Sequence, residues 1–154
     1  MTPLEHAERH LLLQVGRTIV TDAGVIDDRS ARRFSSATGR SPRRDGNGEL
    51  LVSPLFLTAT REWGVGDELA PDGTTLTDVG LPGHFEVRVI GGGQDLELGV
   101  PVRVGMHVTV HAKVVGLERK EGRSGPLLTV NIERRYVDGD DQLLVLCREA
   151  RVVR

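Results

Sequence analysis

The second half of the sequence alternates between apolar and polar residues, and this pattern restricts the fold more than any other feature. Between Val108 and Val114 every second residue is apolar and the residues between them are polar. Successive side chains of a β-strand point to opposite faces, so this period of two predicts a half-buried strand over residues 107–117. Three further segments are rich in valine, leucine and isoleucine and are predicted as strands: 85–90, 127–137 and 142–153.

Turn sequences separate the last three of these strands. Residues 122–125 read Gly-Arg-Ser-Gly, and residues 138–141 read Asp-Gly-Asp-Asp. Short turns of this composition join antiparallel neighbours, so we expect a long antiparallel meander. Residues 143–146 are continuously apolar, which is typical of a strand covered on both faces.

The first half has helix signals instead. Thr2 followed by Pro3 predicts a capped helix start, and Gly16 is expected to end that helix. A β-branched run at residues 17–21 is predicted as a short edge strand. A second helix is expected to begin at Asp27 or Asp28 and to end at a left-handed Gly39. Residues 40–49 are charged and rich in glycine, and we predict a loop there.

Ser53 and Pro54 form the clearest helix start in the chain. Apolar residues recur at helical spacing as far as Trp63, Gly64 ends the pattern, and turn residues follow over 66–83. This apolar helix is expected to lie against or inside the sheet. Helices followed by a meander predict an α+β fold, a single domain over residues 1–154 in which a curved sheet covers a helix.

Composition excludes several classes of protein. The chain has 20 basic and 22 acidic residues and 3% aromatic residues, which argues against a general nucleic-acid or membrane binder. Cys147 is the one cysteine and lies in an apolar run, so we expect a core residue in a reducing compartment. The apolar run at residues 11–13 is far too short for a signal sequence or a membrane span. A cytoplasmic protein is therefore predicted.

Two short patterns could suggest a metal or nucleotide site. His107 and His111 are four residues apart, but on a strand that spacing is roughly 13 Å, too far for one ion to bridge. The triple glycine at residues 91–93 precedes an acidic strand and no helix, so a bulge in the sheet is expected there rather than a phosphate cradle. We predict no metal and no cofactor.

Five motifs, in this order and spacing, carry a resemblance to a known family. They are Arg33-Phe34 through Ala37-Thr38-Gly39, then Val52-Ser53-Pro54-Leu55-Phe56-Leu57, Gly91 to Glu97, Pro101 to Gly105, and Arg119 to Gly125. Together they resemble the MaoC-like acyl-thioester hydratases and dehydratases, and more closely their FAS1-like dehydratase domain, which also occurs in mycobacterial heterodimeric hydroxyacyl-carrier-protein dehydratases. The resemblance implies a hot-dog fold, a long curved antiparallel sheet wrapped around a central helix.

The resemblance also implies that the usual catalytic pair is missing. In the family the second helix ends in T-G-D-x-N-P-x-H, where the aspartate and histidine act as general acid and base. Thr38 and Gly39 match, but Arg40 stands at the aspartate position. The loop is one residue shorter, and alignment on Pro42 puts Arg44 at the histidine position. An arginine cannot act as a base because its pKa exceeds about 12.

Other residues are candidates for roles in the site. If the chain is active alone, the resemblance leaves His84, Asp95 and Glu97 as acid–base candidates. Asp95 and Glu97 would point to the same face of a strand. Solvent-facing strand ends are the alternative for each of the three. The candidate substrate-binding residues are Arg40, Arg44, Arg123, Ser124, Phe56 and Trp63. A turn held by structural hydrogen bonds is the alternative for Arg123 and Ser124.

Six arginines form a local basic cluster, which has two interpretations. They are Arg29, Arg32, Arg33, Arg40, Arg43 and Arg44. Guanidinium groups bind phosphates bidentately, so the cluster could contact the phosphates of coenzyme A or of a carrier protein's phosphopantetheine. Alternatively it is a solvated helix face and loop whose partners are Asp27, Asp28 and Asp45.

Three functions remain open. The resemblance favours a subunit without its own acid–base pair that shapes the substrate site of a catalytic hot-dog partner, acting on 3-hydroxyacyl or enoyl thioesters of fatty acid or polyketide metabolism. The second is a stand-alone dehydratase, isomerase or cyclase with altered chemistry. The third is a homodimeric module that binds acyl thioesters without chemistry. Expected partners are acyl-CoA or an acyl carrier protein and a second hot-dog chain, with no nucleic acid and no membrane.

Overall fold

A computed structural model describes residues 1–59 and 86–154 of the chain. The helices within these residues are α1 (Pro3–Leu12), α2 (Asp28–Ala37) and α3 (Pro54–Ala59). The strands are β1 (Thr18–Val25), β2 (Arg43–Arg44), β3 (Leu50–Leu51), β4 (Val89–Leu98), β5 (His107–Gly122), β6 (Gly125–Val137) and β7 (Leu143–Val153).

Five strands form one antiparallel sheet in the order β1-β5-β6-β7-β4. Strands β5, β6 and β7 follow one another as neighbours, which confirms the predicted meander. The turn at Gly122 and Gly125 closes the β5–β6 hairpin. Because β1 and β4 lie at the two edges, each has one side without a strand partner within the described residues.

Two sequence predictions are corrected by the strand pairing. Residues 40–49 are not wholly a loop, because Arg43 and Arg44 pair with Leu51 and Leu50 in a small antiparallel ribbon. The strand predicted over residues 85–90 begins at Val89 and continues through the glycines to the end of β4. The strand predicted before the glycines and the acidic strand expected after them are therefore parts of one strand, joined through a bulge.

The triple glycine does introduce the expected bulge. The β4–β7 register shifts between Gly91 and Gly93, and Gly93 has a φ of 134°. A β-carbon on Gly92 would lie 3.2 Å from the carbonyl oxygen of Ala150. Backbone flexibility and close strand approach together explain why glycine occupies this part of the strand.

The sheet has two chemically different faces. Along β6 every second side chain from Leu128 to Tyr136 is buried, whereas the alternate ones from Thr129 to Arg135 are more exposed. We call the buried side, which also carries Val108 and Cys147, the inner face, and the opposite side the outer face. Cys147 is completely buried there, as predicted for a core residue.

Helix α1 covers one end of the inner face. Thr2 Oγ1 accepts a hydrogen bond from Glu5 N–H, and the Glu5 carboxylate accepts one from Thr2 N–H, a complete capping box. The buried residues Leu4, Ala7 and Leu11 pack against a cluster formed mainly by β5, β6 and β7, the second apolar cluster. Burial of each leucine contributes about 1.5–3 kcal/mol.

Helices α2 and α3 cover the other end of the inner face. Asp27 caps α2, and its Oδ1 accepts a hydrogen bond from Ser30 N–H at 2.8 Å. Ala31 of α2 and Phe56 of α3 belong to the first apolar cluster, which includes Val145 and other residues of β5–β7. The prediction that the apolar helix lies against the sheet is confirmed for residues 54–59, whereas its continuation to Trp63 and the turns at 66–83 lie outside the described residues.

None of the helices in the described residues is long and apolar enough to cross a membrane.

Candidate functional site

The end of α2 is shaped by backbone hydrogen bonds. Gly39 N–H donates to Ser36 O at 3.1 Å, and Arg40 N–H donates to Ser35 O at 2.8 Å. With Gly39 at a φ of 68°, this is a Schellman ending, in which the chain turns back across the last helical turn. Thr38 Oγ1 also donates to Phe34 O at 3.0 Å. Thr38 and Gly39 therefore fix where the following residue emerges, and that residue is Arg40.

The ribbon after α2 is held by its own polar groups. Arg44 Nη1 donates to Gly48 O at 2.8 Å, so this guanidinium closes the β2–β3 turn. Asp45 Oδ1 accepts hydrogen bonds from Asn47 N–H and Glu49 N–H at 2.9 and 3.0 Å. Hydrogen bonding of this kind is typical of an Asx turn. Arg44, which stands at the position expected for the histidine, thus makes a hydrogen bond that stabilises its own turn.

An ion pair joins the ribbon to the segment that leads into β5. Arg103 Nε donates to Asp45 Oδ2 at 2.7 Å and lies 3.1 Å from Glu49 Oε2. The Arg103 guanidinium, and next the backbone amides of Glu49 and Asn47, hold the pKa of the Asp45 carboxyl below its ordinary value. Asp45 is therefore ionised at neutral pH and fixes the loop.

Phe56 connects this region to the core. Its ring lies 5.6 Å from the ring of Phe34, measured between centroids, at an interplanar angle of 81°. This edge-to-face contact joins α2 to α3. Phe56 is buried in the first apolar cluster. Its ring can therefore contact a substrate only if the substrate site adjoins that cluster.

The turn residues lie at the other end of the sheet. Arg123 and Ser124 connect β5 to β6, and Ser124 Oγ accepts a hydrogen bond from Arg154 Nη1 at 3.2 Å. Arg103, which is tied to the ribbon, precedes the opposite end of β5. A straight strand with the length of β5 spans roughly 50 Å. The structure therefore does not bring Arg123 and Ser124 together with Arg40 and Arg44.

Asp95 and Glu97 lie on the outer face. Leu96, between them, packs against the first apolar cluster on the inner face, so its neighbours point the other way. Arg148 Nη1 donates to Glu97 Oε2 at 3.3 Å, and both side chains are exposed. Asp95 and Glu97 do share a face, as the sequence predicts, but the sheet separates them from Phe56.

The structure describes two of the three histidines that the sequence singled out. His84 lies outside the described residues, as does Trp63. His107 and His111 both lie on β5, as the alternation predicts. His107 Nε2 lies 2.5 Å from Asp22 Oδ1. The backbone N–H of Gly24 and then the His107 imidazole keep the pKa of Asp22 below its ordinary value. This carboxylate–imidazole pair is exposed on the outer face, away from the inner clusters.

Sequence reasoning missed a buried charged group on the inner face. Arg134 Nε lies 2.8 Å from Glu149 Oε1, and Arg151 Nη2 lies 3.3 Å from Glu149 Oε2. Their positions continue the inward alternation of β6 and β7, and this alternation is the sequence pattern that could have predicted them on the inner face. Their proximity depends on the register that places Arg134 opposite Cys147 and Glu149 opposite Ile132. Within residues 1–59 and 86–154, no cluster of three or more His, Cys, Asp or Glu side chains is arranged to hold a metal ion.

This architecture defines the class of the protein. The antiparallel sheet that covers α3 is a hot-dog fold, and it is shared with the R-hydratase PhaJ1 from Pseudomonas aeruginosa (TM-score 0.59, 16% identity, covering 89% of this chain and 79% of the other). The ChsH1–ChsH2 complex from Mycobacterium tuberculosis also has it (TM-score 0.68, 12% identity, 96% and 90% covered). So does the HadBC (3R)-hydroxyacyl-ACP dehydratase complex of Mycobacterium tuberculosis (TM-score 0.60, 13% identity, 88% and 96% covered).

The particular family follows from the sequence of the domain. A family model described as the FAS1-like dehydratase domain region matches residues 13–146, and the chain belongs to this family. The class is therefore that of hot-dog hydratases and dehydratases, in agreement with the resemblance seen in the sequence. No functionally curated protein matches the chain.

Proposed function

We propose that this chain is the substrate-shaping subunit of a two-chain hydratase or dehydratase that acts on 3-hydroxyacyl or enoyl thioesters. The observation that carries the proposal is the ending of α2: Thr38 and Gly39 turn the chain as described, but Arg40 follows them in place of a proton-transferring carboxylate. Arg44, at the position expected for histidine, bonds to a carbonyl of its own turn. Neither guanidinium can exchange a proton near neutral pH.

The partner in this proposal is a second hot-dog chain that carries an intact aspartate and histidine. Two of the structural neighbours are complexes of two hot-dog chains, which supports this kind of assembly. Within residues 1–59 and 86–154, β1 and β4 each have one edge without a strand partner, and a second sheet could pair with the backbone groups there. Exposed apolar residues on both edge strands, Ile19 on β1 and Leu98 on β4, add area that a partner would bury.

Co-expression with a candidate partner tests the proposal. We expect the isolated chain to be inactive and the complex to hydrate an enoyl-CoA thioester, with the activity lost when the partner's aspartate or histidine is replaced. Hydration by the isolated chain at ordinary enzymatic rates would show that it does not need a partner's acid–base pair. A stable complex without turnover of any thioester would also count against the proposal.

Two variants test how the chains associate. Leu98→Lys places a charge on β4, and Ile19→Lys places the same charge on β1. The native residues Leu98 and Ile19 are 61% and 57% exposed. Loss of the complex in one variant, measured by native mass, assigns the interface to that edge. If both variants still form the complex with unchanged affinity, the proposal that the chains associate through the sheet edges is wrong.

The same measurements separate the other two functions. A stand-alone enzyme would lose turnover when His84, Asp95 or Glu97 is replaced by alanine or asparagine; the outer-face location of Asp95 and Glu97 does not favour this. A homodimeric binding module would bind an acyl-CoA tightly in calorimetry and give no product and no second chain.

A further inference from the structure

The exposed arginines around α2 form a concentrated positive surface on an otherwise nearly neutral chain. Residues 28–45 hold six arginines and two aspartates, whereas the whole chain has a net charge of −2. Arg29 and Arg33 are one helical turn apart and share a face of α2. The Arg40 backbone is bonded to Ser35, so its side chain begins at the end of the same helix.

The carboxylates that could neutralise these arginines are used elsewhere. Asp27 caps α2 and accepts from Ser30 N–H. Asp28 pairs with Arg32, whose Nε lies 2.8 Å from Asp28 Oδ2. Asp45 pairs with Arg103. Of the three aspartates, only Asp28 pairs with an arginine of the cluster.

Five arginines of the cluster have no carboxylate partner among the described residues, and one of them, Arg44, donates to Gly48 O. Among residues 1–59 and 86–154, no carboxylate lies within ion-pair distance of the other four, and all four are exposed: Arg29, Arg33, Arg40 and Arg43. Arg29 and Arg33, like charges four residues apart on α2, repel each other. Several arginines elsewhere on the described chain are paired, as in Arg103, Arg119, Arg134 and Arg148. We call the four unpaired residues the arginine surface.

We propose that the arginine surface is an electrostatic docking surface for an acidic protein, namely the carrier protein that presents the thioester. The proposal rests on the proposed function, because it supplies the substrate of that reaction. The groups lie on an exposed helix face and the residues after it, whereas sites for small nucleotides are concave and bury most of the ligand. Exposed guanidinium groups spread along a helix complement the carboxylates of another protein's surface and accelerate its association.

The position of the surface agrees with this role. It ends at Arg40 and Arg43, in the segment where the family has its catalytic aspartate and histidine. The Arg103–Asp45 ion pair joins the adjoining ribbon to the segment that leads into β5, and the contact of Phe34 with Phe56 joins α2 to α3. A protein bound to α2 would therefore be held at the same end of the sheet as Arg40 and Arg44.

Binding measurements with charge-reversed variants test the inference. The probe is the purified phosphopantetheine form of an acidic acyl carrier protein, and binding is measured by calorimetry at about 0.05 M and about 0.5 M salt. We expect R29E/R33E to raise the Kd roughly tenfold or more at low salt. The matched control R9E/R17E makes the same charge change at exposed arginines outside the surface and should leave the Kd within about twofold.

Three results would overturn the inference. They are the absence of carrier-protein binding by the wild-type chain, an equal loss in the control variant, and a coenzyme A affinity that falls as much as that of the carrier protein. The neutral variant R29Q/R33Q, with its thermal unfolding curve, separates lost binding from lost folding. If the two-chain complex turns over CoA thioesters but no carrier protein binds, this inference fails and the proposed function stands. Charge-dependent binding of the carrier protein without turnover would instead support this inference and count against the proposed function.

Discussion

Arg134 and Glu149 form an ion pair of 2.8 Å on the inner face of the sheet, between the two apolar clusters. Their side chains are 8% and 4% exposed. Removing charged groups from water is costly, and attraction between well-oriented partners offsets that cost. The pair therefore joins β6 to β7 only while both charges are present.

Loss of one partner should be much more damaging than loss of an exposed pair. We expect Glu149→Ala to lower the free energy of unfolding by about 3–5 kcal/mol, because a buried guanidinium loses a carboxylate partner. Denaturant unfolding measures the change. Asp28→Ala removes a carboxylate from the exposed Arg32–Asp28 pair and should cost far less. Similar losses in the two variants would show that burial does not govern the difference.

Gly99 should not tolerate a side chain. Its N–H donates to Leu144 O, and a β-carbon on Gly99 would lie 1.9 Å from Leu143 O. Since that oxygen belongs to the backbone, the strands must separate, and Gly99→Ala should cost about 1–3 kcal/mol. Gly139→Ala, where nothing lies within 4 Å of the added carbon, is the matched control. Equal melting temperatures for the two variants would contradict the close approach.

Phe56 should be essential for the packing of α3. We expect Phe56→Ala to lower the free energy of unfolding by about 3–5 kcal/mol, because it leaves a cavity in the first apolar cluster and removes the contact with Phe34. Leu55→Ala changes the adjacent residue, which is 50% exposed, and should have a small effect. Chemical denaturation of both variants provides the comparison, and a stable Phe56→Ala protein would refute the packing described.

Asp45 should contribute to the acid sensitivity of the fold. Its carboxyl has a pKa below the ordinary value of 3.8, chiefly because of Arg103, so the folded state favours the ionised form. This stabilisation is fully present above the unfolded-state pKa and is lost as the pH falls through the lower pKa of the folded state. Asp45→Asn should therefore be less stable than the wild type at pH 7, with the difference shrinking below a pH of about 4.

Thermal melts across this pH range measure the effect. Asp140→Asn changes an exposed carboxylate in the β6–β7 turn and serves as the control. A difference between Asp45→Asn and wild type that stays constant from neutral to strongly acidic pH would show that ionisation of Asp45 is not its cause.

Much of the fold could be predicted because local patterns and tertiary packing agree. The alternation from Val108 to Val114 predicted the first half of β5, where Val108, Val110 and Val114 pack in the apolar clusters. Thr2 with Pro3 predicted the start of α1, and Gly39 predicted the end of α2. The ribbon at Arg43 and Arg44 was missed, because two residues are too few to show a period and the pairing depends on Leu50 and Leu51.

The candidate site was less predictable than the fold. Sequence grouped Arg40, Arg44, Arg123 and Ser124 as possible substrate contacts, but the length of β5 separates the first two from the last two. Asp95 and Glu97 were correctly placed on one face of a strand. Which face that is depends on how Leu96 packs, and a period of two cannot decide it.

By itself, the sequence determined the family and most of the order of helices and strands, and it predicted that Arg40 and Arg44 stand at the positions of the family's acid–base pair. These features depend on residue identity and on spacing along the chain. Tertiary structure alone decided which charges meet: Arg134 with Glu149, Arg103 with Asp45, and the arginine surface with no carboxylate among the described residues. The physical reason is that an ion pair requires approach to within about 4 Å, and only strand register and helix packing bring distant residues that close.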